Sequence, residues 1–242
     1  SALHVADRGP GSRNPLRARS MLQLKNHSPL APAIALFPDP DGVDTLYIAV
    51  KATFRIGTRP GAPLTLADEQ LPPLPEDVHW GEPGESSIRY ASELHPSKPG
   101  TDVALVGAAH APGGRPVTQL DVALSVADRR KVVRVFGDRV WKAGLLSVRP
   151  TDPKPFTSIP LVWEKAFGGV RLEDPDRPES VATNPVGLGL RGRRSARDFV
   201  GEPVPNLEDP ERPLKAPAKA DDHAPQGFGF IAAHWQPRAG FA

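Results

Sequence analysis

The feature that most constrains this chain is the placement of its prolines. There are 30 in 242 residues, and none falls between Val117 and Arg149. Proline cannot donate to a strand ladder, so a central sheet must lie where proline is missing. Within that window Leu120, Val122, Leu124 and Val126 alternate with Gln119, Asp121, Ala123 and Ser125. This period-2 pattern predicts a strand with its apolar face inward. Ala127 to Arg130 reads as a polar turn, Lys131–Phe136 as a second strand and Arg139–Leu146 as a third. Gly137-Asp138 would be the tight turn between the last two, completing an antiparallel meander.

Leu46, Ile48, Val50, Ala52, Phe54 and Ile56 alternate with Tyr47, Ala49, Lys51, Thr53 and Arg55, which predicts another strand with one face in the core. Asp39-Pro40-Asp41-Gly42 before it is a turn signal. Leu22–His27 and Ile34–Phe37 read as edge strands ended by Pro29 and Pro38, and Thr101–Ala109 as a strand covered on both sides. Residues 1–20 carry Arg8, Arg13, Arg17 and Arg19 among Gly and Pro and have little to bury. They predict a flexible N-terminal extension, with Met21, the single Met, as the expected natural start. The rest, 21–242, is predicted to be a single β-rich domain with a strand-rich part, 21–149, and a loop-rich wrapping part, 150–242.

The hinge between those parts is Ile159–Gly169, Ile-Pro-Leu-Val-Trp-Glu-Lys-Ala-Phe-Gly-Gly. Pro160 suits a first helical turn, Trp163 and Phe167 are four apart, and the glycines supply a left-handed end. This predicts a short helix of about two turns. It either plugs the open end of a β core or offers a docking face, with Phe167 packed inward and Trp163 partly exposed so that its indole N–H reaches water or a partner.

Several chemistries are set aside. The chain has no Cys, so disulfides, thiol nucleophiles and thiolate metal sites are excluded. Its formal charge of +2 gives no basic surplus for nucleic acid, and no apolar run approaches the ~20 residues of a membrane span. The seven His residues do not pair at helical metal spacing, and Asp221-Asp222-His223 reads as a solvated loop. Gly187-Leu-Gly189-Leu-Arg-Gly192 has dinucleotide-loop spacing but neither the preceding strand nor the following helix. Arg191, Arg193, Arg194 and Arg197 read as a solvated basic loop face. Glu164 and Glu208 are the carboxylates embedded in patterned stretches, and a carbohydrate- or peptidoglycan-acting hydrolase using that pair is the enzymatic alternative.

Taken in order, Val50-Lys-Ala-Thr-Phe54, Lys98-Pro-Gly-Thr-Asp102-Val, Val135-Phe-Gly-Asp138-Arg-Val-Trp141, Pro160–Gly169, Asn184-Pro-Val-Gly187, Pro205-Asn-Leu-Glu208-x-Pro210, Gly227-Phe-Gly229 and Trp235-x-Pro-Arg238 form a pattern. It resembles the bacterial domain of unknown function 2169 family from about Met21 to the end, with Trp163 where Tyr is expected. The resemblance implies a type VI secretion adaptor or chaperone, encoded beside a toxic effector and a spike protein, that helps load the effector onto the spike tip. It also implies a domain continuing beyond Ala242.

The resulting expectation is a mostly β protein: an antiparallel, β-sandwich-like platform with long Pro- and Gly-rich loops and one or two short helices. It is expected to be a cytoplasmic, non-enzymatic adaptor without cofactor, metal, nucleic acid or membrane, whose partners are a secreted effector and the spike protein. A structural component of the secretion apparatus is a further alternative. Trp141, Trp163, Phe167 and Trp235 are the candidate partner-binding anchors. Asn184, Asn206 and Glu208 are the candidate loop-fixing residues, because amides and carboxylates satisfy backbone groups in turns.

Overall fold

The structure is a computed structural model describing residues 22–39, 41–94, 100–145 and 147–240. The expected extension at 1–20 lies outside the described residues. The chain is mostly β, with antiparallel sheets that do not close into a barrel. It forms two compact units: one runs to Glu76 and includes Ser92–Ser97, the other comprises Asp77–Ala91 and Lys98–Ala242. The change of texture expected near 149 lies inside the second unit.

The first unit is built on a hairpin of Ala31–Pro38 and Asp44–Lys51, in register from Ala31 opposite Lys51 to Pro38 opposite Asp44. Asp39 turns the chain: its carboxylate accepts the N–H groups of Asp41 and Val43 at 3.0 and 2.8 Å. Gln70 bridges the backbone of Thr53, bonding its N–H and its carbonyl. The alternation expected in the second strand is present, but its sense is reversed. Thr45, Tyr47, Ala49 and Lys51 are the more covered residues. The Leu46, Ile48 and Val50 face stands open, from 37% exposed at Leu46 to 59% at Val50. Leu22–His27 forms no strand.

The second unit keeps the expected pairing of Gln119–Val126 with Arg129–Phe136, joined by a two-residue turn at Ala127 and Asp128. Leu120, Val122 and Leu124 pack on its core as expected, beside Val133 and Val135, which are wholly buried. The third meander strand is different. Arg139–Ala143 leaves this sheet and pairs with Val148–Pro150 and Pro203–Val204, and Leu207–Glu208 takes the vacant edge of Arg129–Phe136. The cause lies at Gly137. Its N–H bonds Thr118 and the Lys154 carbonyl crowds its Cα, at a distance that excludes a side chain, so the chain passes on where a hairpin would fold back. The expected strand at Thr101–Ala109 is reduced to Ala108–His110, which pairs with Ser158–Pro160.

Two apolar clusters form this unit. One gathers Val133, Val135, Ile159, Leu161, Trp163, Leu207, Phe228 and Trp235; the other gathers Trp141, Val148, Phe167, Leu190, Phe199, Val204 and Leu214. The loop-rich stretch after Pro150 thus supplies most of the core and wraps its own sheet. The central stretch is not a helix of two turns. It is strand at Ser158–Pro160, one 3-10 turn at Trp163–Lys165 and strand again at Phe167–Gly168. The turn ends because Ala166 is extended and hands its carbonyl to Leu188 across a parallel pairing.

The register of the Gln119–Val126 strand yields a paired prediction. Val122 lies opposite Val133, whereas Ala123 faces outward. Val122→Asp should place an unpaired carboxylate on the core face and cost about 3 kcal/mol. Ala123→Asp should stay within about 0.5 kcal/mol. Chemical denaturation of both variants checks this, and equal losses would contradict the register.

Candidate functional site

The motif residues converge on the Trp163–Lys165 turn. The Trp163 indole donates to the Phe230 carbonyl at 2.9 Å. Its ring lies flat against Gly227 and Gly229; a Cβ on Gly227 would sit 2.9 Å from the ring and one on Gly229 3.1 Å from Nε1. Those two glycines are therefore the complement of one indole. Lys131 Nζ stands 5.9 Å from both the Trp163 and Phe228 ring centroids, and desolvation there holds its pKa below the usual lysine value.

Glu164 turns to a distant segment. Its Oε1 accepts the Ser87 N–H at 2.7 Å and its Oε2 the Ser87 hydroxyl at 2.8 Å. The next side chain, Lys165, donates to Asn206 Oδ1, while its carbonyl accepts the Asn206 N–H at 2.8 Å. Asn206 Nδ2 then donates to the Phe136 carbonyl and to Asp138, both at 3.0 Å. Asn184 Nδ2 spans the turn from beneath, donating to the carbonyls of Trp163 and Phe167 at 2.9 Å each. Gly168 and Gly187 let it approach: side chains there would lie 2.2 Å from the Asn184 carbonyl and 2.6 Å from that of Ala166.

Glu208 anchors a second node. Its Oε1 accepts from Arg139 at 2.5 Å and its Oε2 from the Leu214 N–H at 2.8 Å. Arg139 also donates to the Pro205 carbonyl and lies 4.0 Å over the Phe136 ring. Burial pushes the Glu208 pKa up, against the pull of the Arg139 charge and hydrogen bond. Beside it is a cavity of about 40 Å³, lined by Phe167, Glu208, Asp209, Arg212, Leu214 and His223 among others. That volume suits a water or two. The His223 ring meets Phe167 edge-on at 5.9 Å.

The candidate anchors Trp141, Trp163, Phe167 and Trp235 are all buried, between 1% and 6% exposed. The expectation of a partly exposed Trp163 is therefore corrected: its N–H is satisfied by Phe230, which removes the reason to face water. In this fold the four rings are core, divided between the two clusters, and none presents a face to a partner. Asn184, Asn206 and Glu208 are buried and bonded to backbone groups as described. Glu164 and Glu208 do not face a shared cleft, since each spends both oxygens on separate internal donors. Among the described residues no group of three His, Asp or Glu side chains is placed to hold a metal, and no helix is long and apolar enough to cross a membrane. Ser87 and Arg139 escaped sequence reasoning; Arg139 could have been found as the one cation in Phe136-Gly-Asp-Arg-Val-Trp141, a segment otherwise apolar or turn-forming.

The model of a family described as an uncharacterized protein conserved in bacteria (DUF2169) matches residues 41–242. The chain belongs to the DUF2169 family. No curated protein and no solved structure matches it. The span matched in this DUF2169 chain includes the residues around the Trp163 turn described above.

The Glu208 site predicts a pH dependence. Its folded pKa lies above the unfolded value, so the folded state holds the proton more tightly. This contribution to stability is complete below about pH 4.3, the ordinary carboxylate value, and is lost as pH rises through the folded pKa. Glu208→Gln should abolish that slope. Because Gln stands in for the protonated carboxyl, the variant should melt close to the wild type at low pH and no lower than it at pH 7. Calorimetry of both proteins across this range checks it; a wild type that gains stability relative to the variant as pH rises would mean that pairing outweighs burial.

Proposed function

We propose that this chain is a cytoplasmic, non-enzymatic adaptor that binds a type VI secretion effector and helps load it onto the spike complex. The resemblance of its motifs supplies the system. The observation that carries the binding reading is the open face of the Ala31–Lys51 hairpin, where Leu36 lies opposite Leu46 and Ile34 opposite Ile48. Rows of apolar side chains turned to solvent are costly for a free protein and mark contact surfaces. The hydrolase alternative draws less support, because Glu164 and Glu208 are committed to Ser87, Arg139 and Leu214.

The test is co-expression with the product of the neighbouring gene. The two proteins should co-elute as a stable complex, with no turnover of peptidoglycan. Ile48→Asp should leave the melting temperature of the free protein within a few degrees and weaken the complex at least tenfold, about 1.4 kcal/mol. Absence of a complex would contradict the adaptor reading. Peptidoglycan hydrolysis lost in Glu164→Gln would establish the enzymatic one.

A further inference from the structure

On the Val78–His79 and Ile88–Tyr90 hairpin, chain direction separates an anchored side from a free one. Ser87 is fixed by Glu164, and Ile88 is buried in the first cluster. The tip is braced: Trp80 N–H bonds the Ser87 carbonyl at 3.0 Å, and the Ser86 hydroxyl bonds Gly81 and Glu82 at 2.9 Å each. On the free side Arg89 lies against two aromatic rings, its guanidinium carbon 4.8 Å from the Trp80 centroid and 5.2 Å from that of Tyr90. All three side chains are exposed. Among the described residues the Arg89 guanidinium has no hydrogen-bond or ion-pair partner. Arg134, Arg139, Arg193 and Arg194 each have a carboxylate.

An arginine stacked through its face keeps its N–H edge for an acceptor, in a fork that matches a carboxylate. Trp, Tyr and Arg are also the residues that most often carry interface energy. Here the braced hairpin has already met part of the entropy cost of holding the fork. The charge around it selects the partner. Glu82 and Glu85, on the turn joining the two strands, make no ion pair among the described residues and would repel a phosphate chain. One carboxylate with apolar neighbours meets the fork and the flanking rings while bringing a single negative charge, and so incurs far less of that repulsion than a chain of phosphates.

We propose that Trp80, Arg89 and Tyr90 form a docking site for a protein segment bearing a single Asp or Glu carboxylate beside apolar side chains. This site is separate from the open hairpin face and does not depend on the adaptor role. The test uses the full chain, isotope-labelled, titrated at low salt with the acetylated and amidated peptide Gly-Ser-Leu-Glu-Leu-Ser-Gly. The same peptide with Gln in place of Glu and a short oligothymidylate serve as comparisons. The Glu peptide should shift the Trp80 indole N–H and Arg89 Nε–H signals with about tenfold higher affinity than the Gln peptide. Arg89→Gln should erase that preference, and Arg89→Lys, which keeps the charge but loses the fork, should recover only part of it. Trp80→Ala should weaken both peptides. Unchanged melting temperatures will show that the variants fold. Equal affinity for the two peptides, no shift with either, a preference that survives Arg89→Gln, or tighter binding of the oligothymidylate would each overturn the proposal.

Discussion

More than a third of this chain folds with almost no ladder to hold it. After Pro150 the strands are two or three residues long, so most buried N–H and carbonyl groups there cannot be satisfied by sheet pairing. Backbone bonds between loops meet part of that need, and side-chain amides and carboxylates add to them. Asn184 holds the carbonyls on both sides of the Trp163 turn, Asn206 ties the turn to the end of the long hairpin, and Glu164 reaches Ser87. Each substitutes for a missing strand partner. The aromatic rings above and below, Trp163 and Phe167, exclude water from these bonds and so make each one costly to break.

This explains which parts of the fold the sequence made legible. The Gln119–Phe136 hairpin is visible because its alternation and its freedom from proline are local signals. The fate of Arg139–Ala143 is not local: it depends on Lys154 closing over Gly137, an encounter that no periodicity reports. The Trp163–Phe167 spacing imitates a helix, but Asn184 and the Leu188 N–H capture the carbonyls that a second helical turn would need. In the first hairpin the alternation is real. Its sense is set by what covers each face, which the pattern alone does not encode.

The candidate site was read with the same mixture. Asn184, Asn206 and Glu208 are placed at backbone groups, as turn chemistry leads one to expect, and Gly227 and Gly229 find their reason in the indole they touch. The aromatic anchors went the other way: all four rings are buried, and for Trp163 the indole N–H is satisfied inside by the Phe230 carbonyl. With the residues around the Trp163 turn spent on closing the second unit, surfaces for other molecules must come from elsewhere. The open apolar hairpin face and the unpaired Arg89 are two that the described residues offer.

The central claim is that the Trp163 turn and its amide partners open as one cooperative unit. Native-state hydrogen exchange tests it most directly. The amides of Leu188, Gly169 and Asn206, which bond backbone carbonyls at or beside the turn, should exchange only with global unfolding and share one free energy. Asn184→Ala, which removes a donor from the Phe167 carbonyl and leaves that of Trp163 with the Ala166 N–H alone, at about 1–3 kcal/mol, should lower all three together by the same amount. Independent, low-energy opening of Leu188 or Asn206, or an Asn184→Ala effect confined to Gly169, would contradict the account.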